Sequence, residues 1–129
     1  MHRRHNHTVM NLAKHHQLQQ EVLSWQRSLE FFKQENAMLK YRLSEMVDDS
    51  GQPINLQAAE YFQNEFIHID EKLEILSRSL ANFSGKYGLV KEGKAALKEH
   101  DLLRERMYAL EKKCLDITLE FNKKMLPAV

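Results

Sequence analysis

The sequence predicts an all-α protein, three long helices in an up-down-up antiparallel bundle with coiled-coil (heptad) packing. Two observations predict it. A heptad ladder of alternating four- and three-residue steps runs Leu18, Val22, Trp25, Leu29, Phe32, Asn36, Leu39, Leu43 and Met46, and it recurs in two later segments. Such spacing keeps one stripe of side chains facing a partner helix. Two clusters of turn formers, DDSGQP (Asp48 to Pro53) and FSGKYG (Phe83 to Gly88), separate the three ladders.

The first helix is expected over about residues 12–47, a stretch with neither glycine nor proline, behind a flexible polar His-rich arm at 1–8. Pro53 suits the first turn of a second helix over 54–83, because the N–H it lacks has no intrahelical acceptor there. The second ladder is Ala59, Phe62, Phe66, Ile69, Leu73, Leu76, Leu80 and Phe83. A third helix over 90–126 carries Ala96, His100, Leu103, Met107, Leu110, Cys114, Ile117 and Phe121. Each rod is about 45 to 55 Å long at the helical rise of ~1.5 Å per residue. Residues 9–129 therefore form a single bundle.

If the chain reverses at each break, an a position pairs with a d position across each antiparallel seam. Reversal at Gln52/Pro53 pairs Met46 with Ala59, Leu39 with Phe66, Phe32 with Leu73 and Trp25 with Leu80. Reversal at Gly88 pairs Leu80 with Ala96, Leu73 with Leu103, Phe66 with Leu110 and Phe62 with Cys114. The bulkiest side chain, Trp25, would then face small Ala96, as dense packing favours. Handedness, which decides which flanks of the helices share a seam, is left open by the heptads.

Composition narrows the function classes. At 43% hydrophobic and 29% charged the chain has globular or coiled-coil usage, and a formal net charge of +1 gives no basic footprint for nucleic acid. A single cysteine allows no internal disulfide. The opening stretch MHRRHNHTVMNLAKHHQ lacks the apolar run of a secretory signal, and no apolar stretch approaches the ~20 residues that span a bilayer. A cytoplasmic chain is expected, with neither nucleic acid nor membrane as partner.

Candidate chemistry is sparse. Asn36 at an a position sets register, at a cost in stability. His100 on the core stripe, between expected neighbours Leu29 and Leu76, reads as a core histidine bonded to a carbonyl or to Glu99. Cys114 behaves as a small buried hydrophobe. Glu65 and His68 have the E-x-x-H spacing of half a di-iron site, but they fall at g and c, and no second copy aims inward. His68 would suit a phosphotransfer bundle, yet the surrounding FIHIDEKL lacks the lysine and glycine of that family's motif. His2, His5 and His7, with His15 and His16, form a cluster of the kind that binds metal adventitiously. No phosphate loop, nucleophile elbow or paired catalytic carboxylates occur, so neither an enzyme nor a cofactor or metal site is expected.

Apolar residues do occur outside the ladder. Phe31, Met38, Ile54, Tyr61, Ile75 and Leu102 fall at c positions, roughly 130° from the core direction on a seven-fold wheel. Exposed apolar stripes mark partner surfaces. SLEFFKQENAMLKYRL and EYFQNEF resemble stretches of small bacterial coiled-coil proteins of unassigned function, a likeness that covers the first two helices and implies a cytoplasmic helical protein. The expected function is a protein-protein interaction or scaffold module that docks through Phe31, Met38, Tyr61, Ile75 and Leu102 and self-associates as a homodimer or binds another helical protein. A small assembly or secretion chaperone is the alternative, and a metal-binding or phosphotransfer protein using His68 a remote one.

Overall fold

The computed structural model describes residues 2–48, 55–87 and 93–126, with side chains from residue 13 onward in the first of these segments. They form α1 (His2–Asp48), α2 (Leu56–Tyr87) and α3 (Lys94–Met125), with no strand among the described residues. Three helices packed against one another make the all-α bundle expected from the ladders. Both expected reversal points, Gln52/Pro53 and Gly88, and the c-position residue Ile54 lie outside the described residues.

Helix ends follow local chemistry. Asn55 caps α2: its Oδ1 accepts the Ala58 N–H at 3.1 Å and its carbonyl accepts the Ala59 N–H at 3.0 Å. The helix therefore starts two residues later than Pro53 suggested. At the other end α2 runs through Ser84 and Gly85 to Tyr87, past the stop expected at Phe83. A lone glycine weakens a helix by only ~1 kcal/mol, and Lys86 in the last turn offsets part of that by facing the negative end of the helix dipole. Gly93, in extended conformation, precedes α3, which starts at Lys94 instead of 90. Leu126 ends α3 in extended backbone because the next residue is Pro127.

The amino-terminal expectation needs a larger correction. Helix α1 begins at His2, so the stretch expected as a flexible arm over 1–8 is helical from His2 onward. Nothing between His2 and Asp48 is a glycine or a proline, so no residue breaks the hydrogen-bond ladder. Leu18 is the first fully buried side chain described on α1.

Every ladder residue is buried except Trp25 and Met46, which are half-buried and pack against the core. Across α1 and α2 the expected register holds, since Asn36 reaches both Phe66 and Asp70, the turn that carries Ile69. Across α2 and α3 it does not. Phe62 meets Phe121 with ring centroids 5.4 Å apart, where Cys114 was expected, and Phe83 meets His100 at 5.8 Å. Trp25 accordingly lies against His100 at 4.7 Å, one helical turn beyond the Ala96 expected opposite it. Helix α3 is displaced by one heptad along α2. A seven-residue slide keeps a positions on d positions, so the apolar pattern is blind to it. The later end of α2 and the later start of α3 move the reversal toward the carboxyl side and settle the choice.

Candidate partner-binding seams

Handedness, open at the level of heptads, determines what each flank meets. Lys40 on α1 pairs with Asp70 on α2 at 2.5 Å, both at e positions, so the e flanks close the α1/α2 seam. Flanks g and c of α1 then turn toward α3, and the same flanks of α2 and α3 face each other.

This divides the c-position residues between two seams. Phe31 lies along the α1/α3 seam, where it lines a groove of about 150 Å³ with Glu35 and with Leu115 of α3. Met38, one heptad further on, continues the same flank and is exposed. Ile75 and Leu102 line grooves of the α2/α3 seam, and Tyr61 stands on that seam too, its hydroxyl 3.5 Å from the Glu120 carboxylate. All five are more than two-fifths exposed. The single stripe drawn from the heptads is thus two stripes, one on each side of α3. Leu115, at 52% exposed, belongs to the first stripe and was missed because it occupies a b position. Only the handedness that turns the b flank of α3 toward α1 makes it part of the seam.

Asn36 is buried in the α1/α2 contact, where its Nδ2 donates to the Phe66 carbonyl at 2.9 Å and to Asp70 Oδ1 at 2.6 Å. Lys40 holds the other oxygen of Asp70. The buried amide is therefore served by a charged partner at an e position. Asp70 escaped the sequence reading because the expected layer of Asn36, Ile69 and Met107 counted core positions only. With α3 displaced, Cys114 joins Asn36 and Ile69 along one groove.

His100 has no hydrogen bond at either nitrogen, contrary to the expected carbonyl or Glu99 contact. It lies against the rings of Trp25 and Phe83. Burial holds its pKa below the ordinary imidazole value, opposed by Glu21 and aided by Arg104. Burial likewise pushes the Cys114 thiol up to about 11, with Glu111 acting in the same direction. A thiol so placed is a poor nucleophile.

Glu65 and His68 have separate surroundings. Lys113 sits 2.6 Å from the Glu65 carboxylate, which raises the lysine's pKa, while His68 is exposed. No three His, Cys, Asp or Glu side chains converge among the described residues, as a metal ion would need. No described helix is long and apolar enough to cross a membrane.

Fold and surface together define a coiled-coil-type three-helix bundle with exposed apolar stripes along the two seams that flank α3. Comparison with known protein families, characterised proteins and solved structures finds no match.

Proposed function

We propose that this chain is a protein-protein interaction module, a scaffold that acts in the cytoplasm and associates with further copies of itself through its exposed seams. One observation carries the proposal: Phe31 and Leu115, both more than half exposed, flank one groove beside α3, while Ile75 and Leu102, also more than half exposed, flank the other side of that helix. Large apolar side chains gathered along helix seams gain ~25 cal/mol per Å² when a partner removes them from water. A second helical surface fits such grooves, laying its own apolar face between the flanking residues. Docking, with no bond made or broken, is the mechanism.

Sedimentation equilibrium over a range of concentrations tests this. Wild-type protein should exceed monomer mass, and Phe31→Glu combined with Leu115→Glu should return it to monomer while circular dichroism stays helical. Wild-type protein that remains monomeric at every concentration contradicts self-association and favours a surface that binds a client transiently.

A further inference from the structure

Beside their exposed apolar residues the two seams carry opposite free charge, with Arg42, one heptad after Glu35 on α1, a cation near the first. Beside Phe31 and Leu115, the α1/α3 groove is lined by Glu35, and Glu111 lies one turn before Leu115 on α3. Neither acid takes part in an ion pair or hydrogen bond among the described residues. Beside Ile75, the α2/α3 groove of about 260 Å³ is lined by Lys72, Arg106 and Lys113. Lys113 is neutralised by Glu65, whereas Lys72 and Arg106 have no such partner among the described residues.

From this we infer that the seams are two halves of one contact: the acidic α1/α3 seam of one copy packs against the basic α2/α3 seam of the next. The inference rests on the self-association proposed above and specifies its geometry. Apolar side chains at the centre of each seam would be buried, and each free carboxylate would meet a free cation. Pairing like seams instead would oppose two acids or two bases at close range, a juxtaposition that disfavours the wrong partner in protein interfaces. A contact between unlike surfaces is heterologous, so a bound pair still presents one unused seam of each kind. A homodimer is then the first step of a chain or ring of copies.

Charge reversal separates this arrangement from others. Lys72→Glu with Arg106→Glu makes both seams acidic, and Glu35→Lys with Glu111→Lys makes both basic. Each double variant should lose self-association by at least about tenfold in dissociation constant, equivalent to ~1.4 kcal/mol. An equimolar mixture of the two, and the fourfold variant carrying all these changes, should associate again, which also shows that the variants are folded. Association of the wild type should weaken as salt is raised. Wild-type association that neither reversal weakens, or that Glu35→Lys with Glu111→Lys strengthens, overturns the unlike-seam contact while leaving self-association standing. Wild-type protein that is monomeric throughout removes the reading beneath it as well.

Discussion

The ring of His100 lies 4.7 Å from that of Trp25, tilted by 36°, and neither of its nitrogens is hydrogen-bonded. Burial there favours the neutral imidazole over the imidazolium. The charged groups around it are Glu21 and Lys14 from α1 and Asp101 and Arg104 from α3, while α2 presents the ring of Phe83. Because burial lowers the native pKa below 6.5, the unfolded chain binds the proton more readily than the folded one. Stability is then complete above about pH 6.5 and falls as the pH drops below it, by at most ~1.4 kcal/mol per pH unit. Urea midpoints between pH 7.5 and 5.5 measure this, and a midpoint that rises on acidification contradicts it.

Replacing the same side chain separates its two contributions. His100→Leu removes two unpartnered polar atoms that cost ~1 to 3 kcal/mol, and it forfeits ring contacts that contribute ~0.5 to 1.5 kcal/mol. A net gain of about 1 kcal/mol follows, with the pH dependence between 7.5 and 5.5 flattened. Loss of stability at pH 7.5 would show that an imidazole nitrogen has a partner after all.

Asn36 donates to Asp70 across the α1/α2 contact through a 2.6 Å hydrogen bond. Asn36→Leu should raise unfolding stability, because a polar residue at an a position costs stability while partly exposed Asp70 keeps its pairing with Lys40. The same change removes what forbids a one-heptad slide, so amide NMR spectra should show a second set of resonances. A lowered urea midpoint with a single set would mean that the amide stabilises and does not select.

These residues mark where the sequence was sufficient. Every ladder position could be named because burial repeats with the period of a helix, and Asn36 stood out as the polar member of an apolar stripe. Asp70 did not, since a flank residue acquires a partner only when handedness brings two e flanks together. Phe62 and Phe121, on different helices, could not be matched because a seven-residue slide conserves the pattern. Asn55 was the legible signal passed over: a capping residue directly before the helix outweighs a proline two positions earlier. For the seams, exposure of Phe31 and Ile75 followed from their c positions, but their separation onto opposite sides of α3 did not.

Gly85 lies inside α2, where an added Cβ would have nothing within 4 Å. Gly85→Ala should therefore stabilise the protein by ~0.5 to 1 kcal/mol through lower unfolded-state entropy and better helix propensity. Thermal unfolding followed by circular dichroism reads the change. A destabilised variant would place a turn, not a helix, at this residue.

Cys114 gives a kinetic readout of the core. With its thiol pKa at about 11 and its side chain buried, a disulfide reagent at pH 8 should modify it roughly a hundredfold more slowly in native protein than in denatured protein. Reaction at similar rates in both states would mean that the α1/α3 groove opens readily.

The displaced register of α3 on α2 underlies the seams, the His100 pocket and the charge pattern, and native ion pairs report on it. Lys86 lies 3.3 Å from Glu99, and Lys40 lies 2.5 Å from Asp70. Zero-length carbodiimide cross-linking of mixed light- and heavy-isotope protein, read by peptide mass spectrometry, should yield Lys86–Glu99 and Lys40–Asp70 amides within single chains. A Glu99 cross-link to Lys72, with none to Lys86, would return α3 to the register one heptad away and contradict the structure on which both seams depend.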